Sequence, residues 1–161
     1  MNAQLSKSLL VTAVLTVTAL LAYCALGTAQ ASALSANQRQ VVAFINANVD
    51  KTANAAAVAD SAVTAAANGK YARASKRLDK AVSAYASVAR GWVQVPFGGQ
   101  ATRRLERQFG ALLSNVRIYI SCANKVVYGQ AGSATIDRAM RAWDRATTNY
   151  ANVLIELARL Y

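Results

Sequence analysis

The chain has 161 residues, 18 Lys and Arg against 7 Asp and Glu, a formal net charge of +11, and no His. Without His and with two Cys, it lacks the usual ligands of a structural zinc site and the base of most nucleophilic triads, so neither chemistry is expected. One Pro, eight Gly and a hydrophobic share of 55%, much of it Ala, argue against loop-rich and all-β architectures and favour helices.

Residues 1–31 read as an export signal. Lys7 and the N-terminus make a positive start, no charge occurs from Leu9 to Leu26, and Ala29 and Ala31 place small residues where a signal peptidase reads. The uncharged run approaches the roughly 18 residues of a membrane span, so an anchor over residues 9–26 is the alternative. A lipid on Cys24 is a third option, opposed by the large Tyr23 before it. The expected mature chain, Ser32 to Tyr161, is secreted or periplasmic. Loss of Lys7 leaves it at +10, and its length suits one domain. Cys122 is its sole cysteine, which rules out an internal disulfide. Within the apolar stretch 119–123 this thiol reads as buried and inert.

The pattern predicts four helices. The first starts at Ser35, where Ser35 and Gln38 have the capping-box spacing. Small or apolar residues follow at Val42, Ile45, Val49, Thr52, Ala56, Ala59, Val63 and Ala66, in steps of three and four that mark one helical face. Asn68-Gly69 is the stop. The second helix carries Tyr71, Ala74, Leu78, Ala81, Tyr85, Val88 and Trp92, with its end setting in at Gly91. Pro96, Gly98 and Gly99 then break the helical pattern. The third starts near Thr102 and carries Leu105, Phe109, Leu112, Val116, Ile120, Ala123 and Val127. Gly129 to Ser133 form the next break. The fourth carries Ile136, Ala139, Trp143, Ala146, Tyr150, Val153, Leu157 and Leu160. The expected fold is all-α, an antiparallel four-helix bundle over residues 32–161.

Helices two and four share residues at an offset of 65: Arg73/Arg138, Ala74/Ala139, Asp79/Asp144, Ala81/Ala146, Tyr85/Tyr150, Ala86/Ala151 and Val88/Val153 are identical pairs. Alanine bias explains the Ala pairs but not a matching Asp and Tyr together, so a duplicated helical hairpin is the reading adopted. Separately, Asn68-Gly69-Lys70-Tyr71 followed by Ala74, Leu78 and Ala81 resembles the G-x-Y-x-x-A-x-x-x-hydrophobic-x-x-A spacing of a tetratricopeptide repeat. The resemblance implies a helix–turn–helix at 62–81. Ala86 stands near the place of that family's closing Pro, and the internal offset differs from its period of about 34.

Candidate chemistry is sparse. Asp79 and Asp144 are repeat equivalents, but each is flanked by cations (Lys76 and Lys80; Arg141 and Arg145), which keep a carboxylate ionised rather than poised as an acid. No haem motif is present, Met140 is the sole mature Met, and no metal or cofactor is expected. The chain therefore reads as non-enzymatic. Its cations cluster instead. Lys70, Arg73, Arg77 and Lys80 recur at helical spacing, as do Arg138, Arg141 and Arg145; Arg103, Arg104 and Arg107 crowd a helix start, where positive charge opposes the macrodipole. The 91–99 segment adds Trp92, Pro96 and Phe97, either a plug over the bundle end or an exposed anchor beside those arginines. The expected function is docking of an acidic protein, an envelope polymer or an anionic membrane surface, without sequence-specific nucleic-acid reading. The alternative is a carrier of a small apolar or haem-like ligand held among Tyr85, Trp143 and Tyr150.

Overall fold

A computed structural model of the chain describes residues 34–161. The expected export signal, residues 1–31, lies outside the described residues. Among the described residues the protein is all-α, with four helices: α1 Ala36–Ala67, α2 Tyr71–Val93, α3 Arg103–Val127 and α4 Ser133–Leu160. There is no strand among them. Residues Ser35–Leu157 make one compact unit.

Local chemistry sets the helix limits. At the start of α1 the Gln38 N–H donates to the Ser35 hydroxyl at 3.3 Å, and the Ser35 N–H donates to Gln38 Oε1 at 2.8 Å, a reciprocal cap. α1 closes at Gly69, whose φ of 71° no β-carbon favours. The Gly69 and Lys70 N–H groups donate back to the carbonyls of Ala66 and Ala65, both at 2.9 Å. α3 closes the same way around Gly129. α2 ends at Val93, two residues past Gly91, where the sequence places the onset of its end. Gly91 is needed there for close approach, since a β-carbon would meet Phe44 Cε2 at 2.8 Å.

Packing follows from side-chain size. α1 and α3 run parallel and touch along their length, with Phe44 and Phe109 edge-to-face at 6.2 Å near their starts. Farther along, the Tyr119 hydroxyl donates to Asp60 at 2.7 Å. Alanines at 55, 56, 59, 62, 65 and 66 are all buried, and small side chains let helix axes come close. α2 lies antiparallel in one groove of this pair. Trp92 near its end packs on Phe44 and Phe109, and Arg77 near its start donates to the Ser61 carbonyl at 2.9 Å. α4 lies antiparallel over the opposite groove. Its Trp143 ring sits 5.0 Å from Tyr119, its Tyr150 hydroxyl donates to Asp50 at 2.7 Å, and Asn149 bridges Asn115 and Gln108 at 3.0 Å each. The bundle is thus a rhombus, with α1–α3 as its short diagonal and α2 and α4 at the far corners.

The core is centred on Phe109, Ile45, Leu78, Leu105, Leu112 and Val116, all fully buried. Burying each of these is worth about 1.5–3 kcal/mol. α1 faces three neighbours, so Val41, Ala55, Ala62 and Ala65 join the stripe read from the sequence. Two expected stripe residues are exposed instead: Tyr71 at 64% and Ile136 at 49%. Each stands in the first turn of its helix, beyond where the neighbours close over it. α2 and α4 each bury only four residues, on α4 Ala142, Ala146, Val153 and Leu157, and the seam of α4 with α3 carries Gln108, Asn115, Asn149 and Asn152 beside the Tyr119–Trp143 contact.

Candidate functional site: hydrogen-bonded carboxylates and exposed cation clusters

Three of the seven carboxylates are engaged by uncharged groups of the fold. Asp60, half-buried on α1, accepts the Tyr119 hydroxyl; Asp50 accepts that of Tyr150; Glu106 accepts the Thr102 hydroxyl at 2.6 Å and the Gly98 N–H at 3.2 Å. The tyrosines register this. Burial first, then the charge of Asp60 and its hydrogen bond, push Tyr119 far above the ordinary phenol range. Burial followed by the hydrogen bond to Asp50 raises Tyr150 in the same direction. Tyr85 is raised by burial, with Arg117 opposing. These Tyr–Asp contacts join residues 59 and 100 positions apart, a separation at which sequence spacing carries no signal.

The clustered basic residues lie elsewhere, in three separate places, with Arg39, Lys51, Arg90, Arg117, Lys125 and Arg159 outside them. On α2, Lys70, Arg73, Lys76 and Lys80 are exposed, while Arg77 is half-buried and fixed by its bond to Ser61. Arg73, Lys76, Arg77 and Lys80, with Ala72, line an open surface groove of about 440 Å³. On α4, Arg138, Arg141 and Arg145 are exposed, and Arg145 borders a second open groove of about 320 Å³ with Asn115, Asp144, Thr148 and Asn149. Because α2 and α4 occupy opposite corners of the rhombus, these two strips face away from each other. The third cluster, Arg103, Arg104 and Arg107, is exposed on the first turns of α3. There the Thr102 hydroxyl does not cap the helix but donates to Glu106. The positive helix end is therefore offset by one carboxylate and crowded by the arginines.

The connecting segment after α2 divides the expected anchor trio. Trp92 is half-buried, in the last turn of α2, 5.0 Å from the Phe109 ring and 5.9 Å from Phe44. Pro96 is half-buried. Phe97 is 67% exposed, and Val93, which the sequence reading did not single out, is 83% exposed. Gly98 is buried against Val41 and Thr102, with no room for a β-carbon, and its N–H is held by Glu106. The loop is thus fastened from beneath and apolar on top.

The residues named for other chemistries are not brought together. Tyr85 lies on α2, whereas Trp143 and Tyr150 lie on α4, each already packed or hydrogen-bonded to α3 or α1. Asp79 and Asp144 are both exposed, on α2 and α4 respectively. Among the described residues no group of three Cys, Asp or Glu is placed to hold a metal ion. Every buried side-chain polar atom among them has a hydrogen-bond partner. Cys122 is buried and free. No described helix is long and apolar enough to cross a membrane. The fold and surface define an all-α basic protein of four helices. Compared with known proteins, the chain matches no family model, no characterised protein and no solved structure.

Proposed function

We propose that this is an exported, non-enzymatic docking protein whose outward cations engage anionic material at the cell envelope. The observation that supports it is the exposure of clustered cations, Arg73, Lys76 and Lys80 on α2, Arg103, Arg104 and Arg107 on α3, and Arg138, Arg141 and Arg145 on α4, while Asp50, Asp60 and Glu106 accept hydrogen bonds from hydroxyl or N–H groups of the fold. A neutral donor leaves a carboxylate's charge in place, so the positive surface comes from the excess of 18 Lys and Arg over 7 Asp and Glu. The same reading takes residues 1–31 as the export signal and the bundle as a duplicated hairpin. In support of the latter, most equivalent positions have equivalent burial: Ala81 and Ala146 are buried, as are Val88 and Val153; Tyr85 and Tyr150 are half-buried; Asp79 and Asp144 are exposed; Ala74 is buried whereas Ala139 is half-buried.

The test is retention of the full chain on heparin and on anionic liposomes, at low and high salt. Retention that falls away as salt screens the charges supports the reading. Three triple variants locate the face: Arg73→Gln with Lys76→Gln and Lys80→Gln; Arg103→Gln with Arg104→Gln and Arg107→Gln; Arg138→Gln with Arg141→Gln and Arg145→Gln. Absence of retention at low salt, or retention indifferent to salt and to all three variants, overturns it.

A further inference from the structure

We propose that the pole of the bundle formed by the start of α1, the end of α2 and the 94–102 loop seats on an anionic lipid surface, with Val93 and Phe97 entering the headgroup region inside a ring of Arg90, Arg103, Arg104 and Arg107. This rests on the docking reading above and names its partner and its orientation.

Three observations carry it. Val93 and Phe97 are among the most exposed large apolar residues of the bundle, at 83% and 67%, and they flank one short segment. Four exposed arginines stand on the two helices this segment joins. Apolar side chains bordered by cations match the boundary between acyl chains and anionic headgroups, where burial and charge attraction add. The loop is held beneath these side chains, with Trp92 packed on Phe44 and Phe109 and the Gly98 N–H donating to Glu106, which lessens the ordering that binding would require. Glu106, the carboxylate of that helix start, is already engaged by Thr102 and Gly98.

α1 begins at this pole: Val41, in its second turn, lies against Gly98. The opposite pole also exposes apolar groups, Tyr71, Tyr128 and Ile136, so orientation is a real choice that can be measured.

The chain carries its own reporters. It has two Trp. Trp92 packs at the proposed pole, whereas Trp143 packs on Tyr119, ten residues farther along α3 than Phe109, or about 15 Å along the bundle. The full chain is mixed with vesicles of phosphatidylglycerol and phosphatidylcholine bearing brominated acyl chains, with phosphatidylcholine alone as control, and with heparin in parallel. In Trp143→Phe, Trp92 emission should fall about twofold on the anionic vesicles, and that quenching should recede in Val93→Ser/Phe97→Ser and in the Arg103/Arg104/Arg107→Gln triple variant. In Trp92→Phe, Trp143 should be quenched far less. Greater quenching of Trp143 than of Trp92 overturns the orientation. Trp92 quenching unchanged by the Val93/Phe97 pair means that these side chains do not enter the headgroup region, which also overturns it. Salt-sensitive heparin binding without vesicle quenching overturns the lipid assignment and leaves charge-based docking standing. Loss of both sinks the parent reading as well.

Discussion

Replacing Tyr119 with Phe removes one oxygen from a dry site and tests the use of a carboxylate as a hydrogen-bond acceptor within the fold. Tyr119 is 8% exposed and its hydroxyl donates to Asp60 at 2.7 Å. A hydrogen bond to a charged acceptor contributes about 1.5–3 kcal/mol. Asp60 is half-buried and can regain water, so Tyr119→Phe should cost about 1.5 kcal/mol, at the low end. The phenyl ring retains its contact with Trp143, centroids 5.0 Å apart. Asp60→Asn keeps an acceptor and loses the charge, and should cost less; the double variant should cost less than the sum of the singles.

The pH dependence is the sharper arm. The folded Tyr119 hydroxyl titrates above its unfolded value of 10.0, chiefly through burial and then through Asp60. The folded state therefore holds the proton more tightly, and the stabilisation is complete below pH 10. As pH rises past 10 the unfolded chain ionises first, and the wild-type protein loses up to about 1.4 kcal/mol per pH unit from this group. Tyr119→Phe has no such loss, so its deficit of about 1.5 kcal/mol should close near pH 11. Urea denaturation followed by circular dichroism at pH 7, 9, 10 and 11 measures both arms. A deficit constant from pH 7 to 11, or none at pH 7, would refute the reasoning.

Other outcomes follow from the same contacts. Gly98→Ala should destabilise by about 1–3 kcal/mol, because its β-carbon collides with Thr102 and crowds Val41, whereas Gly110→Ala, in open space inside α3, should be neutral or stabilising by about 0.5–1 kcal/mol; thermal melts of the pair compare them directly. Phe109→Ala, which empties the junction of Phe44 and Trp92, should cost about 3–5 kcal/mol in urea titrations and red-shift Trp92 emission. The peptide bearing Cys122 should resist thiol labelling in the native chain and label fully in denaturant, as read by mass spectrometry; rapid native labelling would mean that α3 and its neighbours part readily.

Much of the fold is legible along the chain because its determinants are local. Ser35 and Gln38 announce a cap that closes within one turn, Gly69 and Gly129 supply the positive φ that ends a helix, and the α3 stripe from Leu105 to Val127 is buried at every named position. Errors arise where a distant neighbour decides. Tyr71 continues the helical period but has nothing above it, and Gly91 reads only as the onset of a helix end although it also marks the approach of Phe44 from α1. The candidate surface was legible only as clusters. Arg73 and Arg77, Arg103 to Arg107, and Arg138 to Arg145 are visible as helical runs, but whether they share a face depends on which helices are diagonal.

The sequence by itself determined that this is a basic, alanine-rich, all-α chain of four helices, since composition, period and caps act over a few residues and need no partner. The tertiary structure alone decided that α1 and α3 form the short diagonal, so that the α2 and α4 arginines face apart. It also decided that Asp50 and Asp60 are engaged by Tyr150 and Tyr119, and that Trp92 turns in while Phe97 and Val93 turn out. Those outcomes rest on contacts between residues far apart along the chain, selected by how closely small side chains let the helices approach, and no local pattern encodes them.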